Sequence, residues 1–146
     1  MKSIGKYLFL FIFGGLVYNL IELLYRGYSH WTMFILGGLC FVSVGLINNL
    51  FTWKTPIEFQ CLIGGGLITL LEFITGLVVN VKLNWNVWDY SNVPLNFMGQ
   101  ICLPFTIIWI FLSLIIIIVD DLLRWKFFKE RKPKYYSICL DKTYYL

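Results

Sequence analysis

LIGGGLITLLEFITGLVVNVKLNWNVWDYS, running from Leu62 to Ser91, decides how the chain folds. It begins as an apolar run long enough to cross a bilayer, carries one carboxylate, Glu72, about halfway along, and ends in a polar, Trp-rich segment. Cys61, Gly65, Thr69, Glu72, Gly76 and Asn80 follow one another at steps of three or four. A helix here has one small-and-polar stripe, while Ile63, Leu67, Leu70, Ile74, Leu77 and Val81 face elsewhere. A carboxylate at the centre of a membrane helix costs about 2.5 kcal/mol or more on insertion scales, so Glu72 is expected to face other helices or a cavity rather than lipid.

The rest of the chain has the same character. Hydrophobic residues make up 59% of its 146 positions and charged residues 14%, well below the roughly 25% of a soluble domain. Four apolar spans, at residues 7–25, 31–51, 57–81 and 97–119, each approach the ~20 residues that cross a hydrocarbon core. The links 26–30 and 52–56 are short, which makes consecutive helices antiparallel neighbours. The expected fold is an all-α integral membrane protein with four transmembrane helices in residues 1–128 and a basic, Tyr-rich tail at 129–146. Lys2 and Lys6 precede the first span as they would in a signal peptide, but no small-x-small cleavage site follows. The segment is expected to stay as a helix.

Orientation follows from Lys and Arg. With both termini cytoplasmic (N-in/C-in), Lys2, Lys6, Lys54, Arg124, Lys126, Lys129, Arg131, Lys132, Lys134 and Lys142 lie inside, and only Arg26 and Lys82 lie outside. That asymmetry sets the orientation, and the membrane is expected to be the plasma membrane. It also reads the net charge of +4 as a topology signal and a contact for anionic lipids, not for nucleic acid. Trp31, Trp53, Trp85, Trp88 and Trp125 fall near the interfaces. Cys40, Cys61, Cys102 and Cys139 suggest no disulfide framework. The tail shows no strong periodicity and is expected to lie loosely at the membrane surface.

The window from Gly14 to Glu22 echoes the window from Gly64 to Glu72, which allows a parallel two-helix repeat. Nine residues in a Gly- and Leu-rich chain can also match by chance.

Glu72 and Glu22 are the first candidates for a substrate or ion site. Each has a plainer reading: Glu22 pairs with Arg26 one turn on, and Glu72 is held by hydrogen bonds from neighbouring helices. His30, the single histidine, is either a hydrogen-bonded interfacial residue or part of a site on the face that also receives Asn84, Trp85, Trp88 and Asp89. That amide- and indole-rich loop suits a sugar or a polar head group, and equally a cap anchored on the bilayer. Asp120 and Arg124, four apart, are expected to pair on a helix continuing to Phe128. The glycines at 37, 38, 45 and 64–66 are expected to be close-packing surfaces. There is no GxxxxGK[ST], CxxC or nucleophile motif, so the balance leans away from an enzyme, catalytic residues are left unassigned, and no metal or cofactor is expected.

The strings ELLYRGYSHW (22–31), LEFITG (71–76), NWNVWDYS (84–91) and GQICLP (99–104) resemble the ABC-transporter type IV (CmpB-like) membrane family, over Glu22 to about Trp125. The GQICLP string adds Gln100 to the site candidates. The resemblance implies a permease subunit of a transporter, and the missing ATP-binding half implies a separate ATPase or a homo-oligomer. Two other functions remain open. One is a membrane-embedded enzyme acting on a lipid or lipid-linked substrate at the outer face through Glu72, His30 and Asp89; the other is a small accessory membrane protein.

Overall fold

The computed structural model describes residues 2–51 and 54–145, so the expected interfacial position of Trp53 lies outside the described residues. Among them, three helices are long and apolar enough to cross a membrane: α1 (Lys2–Arg26), α4 (Ile57–Gly76, prolonged by a π-helical turn, Leu77–Lys82) and α5 (Leu103–Phe128). A shorter apolar helix, α2 (Trp31–Gly45), lies between α1 and α4 and is followed by a single turn, α3 (Ile47–Leu50). Two small antiparallel hairpins complete the chain: β1 (Asn96–Phe97) with β2 (Ile101–Cys102), and β3 (Lys134–Ser137) with β4 (Lys142–Tyr145).

The helix flanks are apolar and uncovered. Leu8, Ile12, Leu16, Leu20 and Leu24 recur every four residues along α1, and all are exposed. Such a stripe would be an aggregation surface in water and is an ordinary lipid-facing surface in a bilayer. The helices touch through small residues. A Cβ at Gly14 would sit 2.2 Å from Phe41, one at Gly37 would sit 2.4 Å from Tyr18, and one at Gly64 would sit 2.7 Å from Ser113. Close backbone approach of this kind is what drives packing between membrane helices. Gly66 is the exception among the expected packing glycines, with open space around it. In the nine-residue echo, Gly14 and Gly15 seat α2 while Gly64 and Gly65 seat α5.

Two boundaries differ from expectation. The second span is not one helix over 31–51. It divides at Leu46, next to Gly45, where the Asp120 carboxyl occupies the place a Cβ would take. The last helix begins at Leu103 rather than Phe97. Pro104 stands in its first turn, where the missing N–H costs nothing, and Gly99 takes φ +66 in the β1–β2 turn just before it. As expected, it runs on to Phe128.

The tail is docked, not loose. Tyr135 and Ser137 are buried at alternate positions of β3, the Tyr135 hydroxyl donates to Asp121 Oδ2 at 2.7 Å, and Ser137 Oγ donates to Glu58 on α4. Glu58 also accepts from the backbone N–H groups of Ile138 and Cys139. Burial in the first place, and the nearby Asp121 carboxylate in the second, hold the Tyr135 phenol above its ordinary pKa, so it remains a donor.

The start of α1 and the end of α5 lie at the same end of the bundle, joined by Lys6 Nζ to Glu130 Oε1 at 2.6 Å and by Phe9 packing on Phe127 and Phe128. This end, rich in Lys and Arg, is called the basic end below. The other is the loop end.

Candidate functional site

The polar residues of the loop end fall into three groups, each built by a different part of the chain. The deepest is centred on Glu72, which is 3% exposed on α4. Its Oε1 accepts from the Tyr90 hydroxyl and its Oε2 from Trp109 Nε1, both at 2.9 Å. Phe105 stacks on Tyr90 with ring centroids 4.8 Å apart and packs against Trp109 on the same helix. Hydrogen bonds from the loop and α5 thus hold the carboxyl through neutral donors, and among the described residues it makes no ion pair. Burial, followed by the Glu72 charge, keeps the Tyr90 phenol well above its usual range.

The second group lies toward the loop end of α1. Arg26 Nη2 donates to Glu22 Oε1 at 2.5 Å, as the i, i+4 spacing predicts, and Nη1 donates to the Val87 carbonyl at 3.1 Å. Ser29 Oγ lies 2.6 Å from Glu22 Oε2 and 3.0 Å from Asn19 Oδ1, so two acceptors compete for one proton. Arg26 therefore ties α1 to the loop and makes no ion pair with Glu72 among the described residues.

The third group is the cap. The π-helical turn carries Asn80 inward, where its Nδ2 donates to Gln100 Oε1 at 2.9 Å and its Oδ1 accepts from the Val87 N–H at 2.7 Å. Trp88 is buried, its Nε1 donating to the Gln100 carbonyl at 3.0 Å. The wider turn therefore carries both hydrogen bonds of Asn80. Gln100 and Trp88, both site candidates by sequence, are consequently cap residues.

The remaining candidates stay apart from these groups. His30 caps α2 through Nδ1, 2.8 Å from Thr32 Oγ1, and its ring packs with Trp31 and Trp85 in an interfacial aromatic cluster. Asp89 is exposed and accepts from both the backbone N–H and the hydroxyl of Ser91, which lower its pKa. Asn84 adopts φ 54, a conformation Asn tolerates, and its carbonyl accepts from Asn86. No hydrogen bond or ion pair among the described residues joins Glu72, His30 and Asp89. No three His, Cys, Asp or Glu side chains among them gather where a metal could sit.

Between α1 and α5 lies a cleft of about 370 Å³, lined by Tyr18, Ile21, Phe105, Ile108 and Leu112, among others. Glu22 and Arg26 stand on one wall, and Tyr90 and Trp109, the two donors to Glu72, form part of the other. Ile21, Tyr25 and Ile108 are exposed on its flank. Glu72 itself borders a smaller space of about 50 Å³, which shares Tyr18, Ile21, Trp109 and Leu112 with the cleft. Both spaces are overwhelmingly apolar, so the arrangement can bind an amphipathic molecule.

The family model described as Putative ABC-transporter type IV, CmpB, matches residues 5–141. The chain belongs to this family. No solved structure matches it. In this family member, three of the strings that carried the resemblance meet at the loop end. GQICLP forms the turn, the β2 strand and the start of α5, NWNVWDYS forms the cap, and LEFITG carries Glu72. Trp109, Tyr90 and Ser29, which complete the site, were not among the site candidates named from the sequence. Trp109 carried the clearest signal, because an indole N–H in the middle of an apolar span requires an acceptor.

Proposed function

We propose that the chain is a permease-like component of a plasma-membrane transporter, with both termini and the basic end in the cytoplasm, and that the cleft between α1 and α5 admits an amphipathic cargo. The observation that carries this reading is the cleft itself, an apolar space backed by the donors to a buried carboxylate. Glu72 supplies a site where a proton, a cation or a cationic head group gains a partner, since only neutral donors now hold it. A single small bundle without an ATP-binding motif then works with a separate ATPase or as a homo-oligomer.

Glu72→Gln tests the role of the charge. The amide can accept from Trp109 and donate to Tyr90, so the packing survives while the charge is lost. In a comparison of lipids and metabolites between cells with and without the protein, Glu72→Gln should express and insert normally yet fail to restore the wild-type profile. Glu22→Gln should have the milder effect. Full restoration by Glu72→Gln between about pH 6 and 8 would remove the proposed site.

Orientation has its own test. Cys139 is exposed while Cys40, Cys61 and Cys102 are buried, so in intact cells the native chain should resist an impermeant thiol reagent. Asn86→Cys in a Cys139→Ser background should react with it from outside.

An enzyme acting on a lipid-linked substrate is favoured by the sideways opening of the cleft, but His30 and Asp89 are engaged elsewhere and only Glu72 would remain to serve it.

A further inference from the structure

A second apolar space lies at the basic end, on the opposite side of α5 from the cleft's interior. It is a groove of about 760 Å³ between α4, α5 and the docked C-terminal hairpin. Leu62, Ile110, Phe111, Leu114 and Ile118 form its length, and Leu140 and Tyr144 of the hairpin close it. Phe111 is 71% exposed and Leu62 57%, so the long side of the groove is open to the surrounding bilayer. From Ile110 to Ile118 the helix rises about 12 Å at ~1.5 Å per residue. That is close to the roughly 15 Å of one leaflet of hydrocarbon.

The hairpin register supplies the other half of the argument. Tyr135 pairs with Tyr144 and Ser137 with Lys142, and residues directly opposite in an antiparallel pair share a face. The buried Tyr135 and Ser137 put that face toward the bundle, so Tyr144 reaches the groove, and Lys142 is on the same face directly across from the groove-lining Ser137. Glu58, the one acid lining the groove, is already taken by Ser137, Ile138 and Cys139. Lys142 is exposed and makes no ion pair among the described residues.

We propose that this groove holds one acyl chain of an anionic phospholipid from the leaflet at the basic end, with the lipid phosphate against Lys142. The site is independent of the transport reading. Charge selects a lipid over a second copy of the chain, because a copy packed on this face by a two-fold axis would bring its own Lys142 against Lys142, with no acid free to answer either. The phospholipid brings the opposite charge together with a hydrocarbon of the right length.

Native mass spectrometry of the full-length protein, released from nanodiscs of phosphatidylcholine with a minor share of phosphatidylglycerol, tests the proposal. Wild type should retain one phosphatidylglycerol in preference to phosphatidylcholine. Lys142→Gln should lose about five-fold of that preference, equivalent to ~1 kcal/mol for one lysine near an anionic surface, while still retaining a lipid. Leu114→Trp, which fills the groove from its lipid-facing side, should reduce retention of both lipids. Displacement of the lipid by inorganic phosphate alone, retention unchanged in Leu114→Trp, a preference unchanged in Lys142→Gln, or a dimer in place of the bound lipid would each overturn it. Far-ultraviolet circular dichroism of the variants should match wild type, and a variant that fails this is replaced by Leu114→Phe or Lys142→Met.

Discussion

The two ends of the bundle handle buried charge in opposite ways. At the basic end, Asp120 and Arg124 are almost wholly buried, and their charges are matched within one turn of one helix, Nε to Oδ2 at 2.6 Å. At the loop end, Glu72 is held by a loop hydroxyl and a distant indole, both neutral. The first arrangement closes the structure: α1 meets α5 there through Lys6, Glu130 and the Phe9 cluster. The second leaves an open cleft beside an acid that makes no ion pair among the described residues. A charge cancelled locally can be sealed in, whereas one held by neutral donors can still take up a proton or a cation.

The sharpest way to break this comparison is to cut the local pair. Removing either partner leaves the other buried and uncompensated, so Arg124→Ala should lower stability by about 3–5 kcal/mol. Nη1 and Nη2 of Arg124 have no hydrogen-bond partner among the described residues, so the pair is imperfectly satisfied. Replacing both groups together, Asp120→Leu with Arg124→Met, should therefore cost much less than either single loss. Thermal unfolding in detergent measures both variants. A double replacement as damaging as Arg124→Ala would show that the pair does more than cancel charge.

A smaller effect is expected at the loop end. Trp109→Phe removes one of the two donors to Glu72 and should cost about 1–3 kcal/mol. Tyr90→Phe should cost a similar amount, and the two losses should not add, because both act on one carboxyl. Additive losses would mean that Glu72 is not their common point.

The smallest effect belongs to the hairpin. Tyr135→Phe should weaken its docking by about 1 kcal/mol, read as faster trypsin cleavage after Lys142. Because the folded phenol is raised, its contribution is complete below the unfolded value of about 10 and fades as pH rises above it. Alkaline undocking should thus begin above about pH 10 in wild type, and a phenolate absorbance titration of Tyr135→Phe should show one late-titrating tyrosine fewer.

What could be read from the sequence was mostly local. The apolar spans, the Glu22–Arg26 and Asp120–Arg124 pairs and the close-packing glycines all follow from steps of three or four on a helix. Burial of Glu72 followed from the cost of placing it in lipid. Its partners did not follow, because Tyr90 and Trp109 lie 18 and 37 residues away and reach it only once the loop has folded onto α5. Phe97 and Met98 looked like the start of a helix by hydropathy, which does not register the turn at Gly99. The alternation in residues 134–137 was short and carried mainly by tyrosines, whose burial depends on Asp121 and Glu58 being within reach.

The spacing of Asp120 and Arg124 also bears on how the chain is made. Acid and base are four residues apart on α5, so their contact needs no other helix in place. The charges can cancel as soon as that turn forms, and α5 can enter the bilayer as a nearly neutral segment before it finds α2 or α4. Glu72 has no such companion one turn away. During biosynthesis it must wait, exposed to the translocation machinery or protonated, until Trp109 has been synthesised and brought alongside.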